Sequence, residues 1–246
     1  MMPEITRNIL LAALPPDSLE QLRPHLVVER LPTGSVLYEP GAVMSTVYFP
    51  LDCAVSVVTE VTSAESDTVA MGEVATIGLE GMIGLPVLFE THVAQMRYFL
   101  QIGGSLVALA AAELRAAAEE DPALDALLLR YAQALFTQVG QSVVCNQRHT
   151  LRQRCARWLL TTHDRVAGEE FHLTHEFLAA MLGVRRAGVT VAAGELQRAG
   201  LISYRRGNVR ILDRAGLEEV SCECYSKIHD AYDRIVGVEP VGVEAR

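Results

Sequence analysis

The sequence has no long apolar run. The longest near its start, Ile9 to Leu14, falls well short of the roughly 18–20 residues a membrane span needs. It has no basic lead-in either, so neither a span nor a signal peptide is expected. Cysteine is sparse: Cys53, Cys145, Cys155, Cys222 and Cys224 are odd in number and widely scattered. That argues against a disulfide framework and makes a reducing cytoplasm the expected setting. Structural zinc ordinarily takes two spaced ligand pairs. Only Cys222 and Cys224 lie close together, with His229 as the one further candidate. They read as ordinary thiols at a helix end, and no metal site is expected.

Catalytic signatures are missing as well. There is no G-x-S-x-G nucleophile elbow, no G-x-x-x-x-G-K-[ST] phosphate loop and no H-E-x-x-H metal helix. His172-Leu-Thr-His175-Glu176 fits a strand, a cap and a helix start rather than a metal motif. A non-enzyme is therefore expected. Positive charge is also short: 21 Lys+Arg against 30 Asp+Glu give a net charge of −9 over 246 residues. An evenly acidic protein would be repelled by a phosphate polymer, so the distribution of the charge matters.

What is present is a soluble, ordered composition, 50% hydrophobic and 21% charged, of a length that favours two domains. Apolar positions at Leu19, Leu22 and Leu26 suggest a short helix over Pro16–Leu26. From Val27 to Ile102, short β-branched runs alternate with turns at Pro32-Thr-Gly34, Pro40-Gly41 and Leu51-Asp52, and with Gly78, Gly81 and Gly84. This is the texture of an antiparallel sandwich or barrel. An Ala-rich helix is expected over 110–120. Asp121-Pro122 then starts a long helix with a cap and a first-turn proline. Along it Leu124, Leu128, Tyr131, Leu135, Gln138, Ser142 and Cys145 follow 4-3 spacing, which reads as a dimer seam. The alternative is an amphipathic helix packed on its own domain.

The segment 148–214 holds twelve arginines, no lysine and six acids, a net +6 that leaves −15 for the rest. Arginine suits bidentate contacts to phosphate and guanine edges. Within this segment, after a helix over 151–162 and a strand at Phe171–Leu173, lies LTHEFLAAMLGVRRAGVTVAAGELQRAGLI, beginning at Leu173. Thr174 caps a helix whose apolar face is Phe177, Leu178, Met181 and Leu182. Ala179 permits close helix crossing, Gly183 supplies a positive φ at the turn, and Val184 and Val189 plug the second helix into the core. That spacing specifies a helix-turn-helix. Its second helix offers Arg185, Arg186, Gly188 and Thr190 to a major groove, with Arg186 the best base-reading residue and Gly188 allowing close backbone approach, and Thr174 at the start of the first helix is a further DNA-binding candidate. Two strands follow, turning at Gly207-Asn208, as a wing whose Arg205, Arg206 and Arg210 would meet phosphates.

In order and motifs the chain resembles the Crp/Fnr family of bacterial transcription regulators. The resemblance rests on the glycine-punctuated stretch Pro32–Phe49, on GMIGLPVLF at 81–89, and above all on Leu173–Ile202. It implies an α+β fold: a cyclic-nucleotide-binding-like jelly roll over 1–120, a long dimerisation helix over 121–147, a winged helix-turn-helix over 148–236, and a tail at 237–246. It also implies a homodimer that reads a roughly palindromic promoter site on double-stranded DNA, with RNA polymerase as a further candidate partner and no membrane. The effector pocket would lie at Gly84, Leu85 and Arg97. There, family members that bind cyclic nucleotides carry Gly-Glu and Arg-Ser, whereas this chain has Gly84-Leu85 and Ala94-Gln-Met-Arg97. Leucine cannot accept hydrogen bonds from ribose hydroxyls, so cyclic nucleotide is not the expected effector and no cofactor is required. His25, His92 and Cys53 do not reproduce the family's metal-cluster ligands. The family's Ser-Arg-Glu at the recognition helix is Arg185-Arg186-Ala187, so a different DNA consensus is expected. A winged-helix protein-interaction module is the competing reading.

Overall fold

The computed structural model describes residues 5–62, 69–166 and 168–236; the expected tail at 237–246 lies outside them. Short helices α1 (Ile9–Ala12) and α2 (Pro16–Leu22) lead into a jelly roll. The expected helix over 16–26 stops at Leu22 and finishes as a 3-10 turn at Arg23–His25, where Pro24 lacks the N–H a further α turn needs. Strands β1 (Val27–Leu31), β2 (Val36–Tyr38), β3 (Thr46–Pro50), β4 (Ala54–Thr62), β5 (Val69–Ile77), β6 (Arg97–Ile102) and β7 (Gly104–Ala110) form two antiparallel sheets, β1-β7-β3 and β2-β6-β4-β5. Their inner faces meet over Val47, Phe49, Val107 and Leu109 from one sheet and Val55, Val57, Tyr98 and Leu100 from the other. Strand β7 goes unread in the sequence. It is the central strand of its sheet and nearly all buried, so Leu106–Leu109 has none of the polar alternation that marks a half-buried strand.

Helix α3 (Ala111–Glu120) precedes the long helix α4 (Pro122–Arg148). Asp121 caps α4 by accepting from the Ala123 N–H at 2.8 Å. The chain breaks at His149, and Thr150 with Gln153 forms a capping box that starts α5 (Leu151–His163). Then come β8 (Glu170–His172), α6 (His175–Leu182), α7 (Arg186–Arg198), β9 (Ile202–Arg205), β10 (Asn208–Ile211), α8 (Arg214–Val220) and α9 (Cys224–Ile235). A second core, built on Trp158, Leu159, Leu178, Val189, Leu196 and Ile202, holds this part together. It docks on the outer face of the four-stranded sheet. Phe177 meets Phe99 edge-on, Trp158 donates from Nε1 to Glu73 at 2.6 Å, and a buried Arg165–Glu80 ion pair closes the contact at 2.7 Å. No single helix among the described residues is long and apolar enough to cross a membrane.

Candidate nucleic-acid interface

Thr174 holds the start of α6 by accepting the Phe177 N–H on its hydroxyl at 3.1 Å. At the other end Gly183 has φ 63°. Its N–H reaches the Ala180 carbonyl at 3.1 Å, and the Val184 N–H reaches Ala179 at 2.9 Å. This is a Schellman stop, which needs the left-handed residue that glycine supplies. The chain then turns by 108° into α7, inside the range of a helix-turn-helix. Val189, Ala192, Ala193 and Leu196 face the core, while Arg185, Arg186, Ala187 and Thr190 are exposed. Arg185 makes no side-chain cap bond, as its chemistry anticipates.

Two of the expected roles change. Gly188 is half-buried, and a Cβ there would meet Leu151 Cδ2 at 2.9 Å. Its small size serves the crossing of α5 and α7 rather than backbone approach to DNA. The wing turns at Arg206-Gly207, one residue earlier than expected, with φ of 50° and 83°. Both central residues of a type I′ hairpin need positive φ. Arg206 therefore adopts the left-handed conformation at the tip, and Asn208 pairs with Arg205 across the ladder.

The arginine count also divides. Arg154, Arg157 and Arg165 are buried, and Arg214 is tied to Asp164 at 2.7 Å and Glu218 at 2.9 Å. Arg210 lies on the outer wing face but pairs with Glu170 at 3.0 Å. Arg185, Arg186, Arg205 and Arg206 are exposed and make no ion pair among the described residues. The positive face is thus narrower than the sequence count suggests and is concentrated at the α7 N-terminus and the wing tip.

One residue expected only as part of a helix start lies between them. The His175 ring packs at a tilt against Tyr204, 4.4 Å between centroids, and its Nδ1 is 3.0 Å from the Thr190 hydroxyl. Burial, and then the charge of Arg186, hold His175 below the ordinary imidazole range, so it faces that corner neutral. Thr190 also donates back to the Arg186 carbonyl at 3.1 Å. The hydroxyl therefore links His175 on α6 to the first turn of α7. A histidine at the first helical position carries no sequence signal for this role.

Residues 153–220 match the family of Crp-like helix-turn-helix domains. Over four fifths of the chain the fold is similar to that of FixK2 from Bradyrhizobium japonicum, with a TM-score of 0.66, 17% identity and coverage of 80% of this chain and 98% of that one. It is also similar to a CRP-family transcriptional regulator from Thermus thermophilus, with a TM-score of 0.62, 21% identity and coverage of 78% and 96%. The c-di-GMP-responsive regulator CLP of Xanthomonas campestris aligns with a TM-score of 0.59, 18% identity and coverage of 79% and 98%. The chain carries a Crp-like helix-turn-helix domain on the Crp/Fnr fold. No curated protein matches the sequence.

Within the jelly roll the expected effector residues do not converge. Gly84, at φ 115°, caps the 3-10 turn Leu85–Phe89, and a Cβ on it would meet Val47 Cγ1 at 2.6 Å. Leu85 packs against the interior of the roll. Arg97 lies on the opposite face of its strand. Period-two alternation sends Tyr98 and Leu100 inward and Arg97 outward with Phe99, where it stacks on that ring at 5.5 Å and pairs with Glu39 at 3.3 Å. Arg97 therefore cannot meet an anion held at Gly84 and Leu85.

The expected seam is likewise turned around. Leu124, Leu128 and Tyr131 are buried within their own chain, and Leu135 packs beside them. The Tyr131 hydroxyl donates to the Met82 carbonyl at 2.7 Å. That stripe faces the jelly roll and α9. The exposed apolar stripe of α4 is Leu129, Phe136 and Val143, at seven-residue intervals and 49%, 77% and 53% exposed. Finally, the thiols of Cys222 and Cys224 meet Cys145 and His149 from the end of α4. This is the second pair the sequence reading did not find, whereas His229 points away to Asp233 at 3.1 Å.

Proposed function

We propose that the chain is a sequence-specific DNA-binding transcription regulator that acts as a homodimer in the cytoplasm and is not an enzyme. The observation that carries this reading is the exposed Arg185-Arg186 pair at the N-terminus of α7, presented by the 108° turn and free of ion pairs among the described residues. Helix α7 enters the major groove, Arg186 reads a guanine edge, and Arg205 and Arg206 of the wing bind phosphates. Val191, exposed on α7, is placed for apolar contact with a thymine methyl. Two copies join along Leu129, Phe136 and Val143, and their recognition helices read half-sites about 34–36 Å apart. Cyclic nucleotide is not the effector, since Leu85 accepts no ribose hydroxyl and Arg97 faces away. RNA polymerase is a further partner of such a regulator.

Selection of bound duplexes from a random pool, followed by mobility shifts, tests the reading. A two-fold symmetric consensus is expected. Arg186→Ala should cost about 1–3 kcal/mol on the consensus and relax one base position in each half-site. Arg205→Ala should weaken all duplexes alike and lower the salt slope by about one. Binding without sequence preference, or indifferent to Arg186→Ala, overturns it.

A further inference from the structure

Three thiols and an imidazole from distant parts of the chain converge where α4 ends. Cys145 lies on the last turn of α4, and His149 follows four residues later at its C-cap. Cys222 lies in the link between α8 and α9, and Cys224, beyond Glu223, opens α9. The ligand atoms of all four lie within 4.8 Å of one another, and the three cysteines are buried as a cluster of their own. Cys145 Sγ is 3.5 Å from Cys222 Sγ, and Cys224 Sγ is 3.4 Å from His149 Nδ1.

Those separations discriminate between chemistries. A disulfide needs about 2.05 Å between sulfurs. Two thiolates sharing one tetrahedral ion at about 2.3 Å stand about 3.8 Å apart, and a thiolate and imidazole nitrogen about 3.6 Å apart. Four donors this close surround one ion, not a multinuclear cluster. The outer groups fit as well. His149 Nε2 is 3.2 Å from the Glu223 carboxylate, which fixes the tautomer that leaves Nδ1 free to coordinate. Gln141 Nε2 donates to Cys224 Sγ at 3.1 Å. The buried guanidiniums of Arg154 and Arg157 stand within electrostatic reach of these thiols, and their Nε atoms have no other partner. They offset the net negative charge that three thiolates leave on a divalent ion.

We propose that Cys145 Sγ, His149 Nδ1, Cys222 Sγ and Cys224 Sγ form a Cys3His site for a single divalent, thiophilic, tetrahedral cation, zinc by its chemistry. The site is closed, with four protein donors and no open position, so its role is structural. It ties the start of α9 to the end of α4 beside the His149–Thr150 break, where the long helix gives way to α5. The proposal stands apart from DNA binding, and it replaces the expectation of no metal.

The full chain, purified under reducing conditions, should hold one equivalent of zinc after gel filtration. Exchange with cobalt should give the visible spectrum of a tetrahedral thiolate complex. Cys222→Ser and Cys224→Ser should lose the ion. Glu223→Gln should weaken retention about 10- to 100-fold, while His229→Gln leaves it unchanged. Stripping with a chelator should raise alkylation at Cys145, Cys222 and Cys224 but not at Cys53 or Cys155, a readout that needs no variant to fold. A substoichiometric metal content, an octahedral cobalt spectrum, retention unaffected by Cys222→Ser, or a Cys145–Cys222 disulfide in the reduced preparation would each overturn the site.

Discussion

The two apolar faces of α4 look alike in sequence and differ completely in the fold. Leu124, Leu128, Tyr131 and Leu135 repeat at 4-3 spacing and are folded onto the chain's own jelly roll. Leu129, Phe136 and Val143 repeat every seven residues and face outward. Helical periodicity says that a stripe must be covered; it does not say by what. The inner stripe also changes character along its length. Its first half is large and apolar, whereas from Gln138 through Ser142 to Cys145 it is polar or sulfur-bearing and still buried. Burial without apolar payload is the sign of a site, and there the inner face ends at the thiol cluster.

The contrast can be broken by mutation. Leu128→Ala on the inner face should cost about 2–5 kcal/mol of protomer stability, read from denaturant unfolding and independent of protein concentration. Gly81→Ala comes next. An added Cβ there runs into the Tyr131 ring, and overpacking of this kind costs about 1–3 kcal/mol, with Tyr131 displaced from Met82. Tyr131→Phe should cost about 1 kcal/mol, the worth of the single hydrogen bond to Met82. On the outer face, Phe136→Ala should leave the unfolding of the isolated protomer within about 0.5 kcal/mol, while sedimentation shows the dimer giving way to monomer. An unfolding loss as large as that of Leu128→Ala would erase the distinction between the faces.

The smallest effect concerns pH, beside the polar half of the inner face. Burial raises the Glu73 carboxyl above its ordinary value of 4.5, against the opposing pull of hydrogen bonds from Ser56 and Trp158 and the charge of Arg157. The Ser56 hydroxyl lies 2.6 Å from Glu73 and 2.7 Å from Gln101. Its one hydrogen can serve only one of the two at a time. Above pH 4.5 the folded chain holds a proton the unfolded chain has released, so stability falls as pH rises through that window. Glu73→Gln should flatten this slope in unfolding midpoints measured between about pH 4 and 7. A slope unchanged in the variant would assign it to other groups.

Much of the helix-turn-helix was legible because its rules are local. Thr174 caps, Gly183 takes a positive φ, and Val184 and Val189 fall at fixed steps beyond it, all within one short stretch. The wing turn was misplaced by one residue because Arg206 at positive φ defies its own preference. Strand β7 was missed because full burial removes alternation. The effector residues failed for a different reason. Gly84 and Arg97 are close in sequence, but which face of β6 turns inward depends on pairing with β4 and β2.

The sequence by itself determined the order of the parts, the helix-turn-helix and a surplus of arginine in one segment, since caps, turns and periodicity act over a few residues. Only the tertiary structure decided which arginines reach solvent, which stripe of α4 is free, and that Cys145 meets Cys222, 77 residues along the chain. Each of these depends on which distant surface covers a side chain, and the spacing of residues within one element holds no information about that.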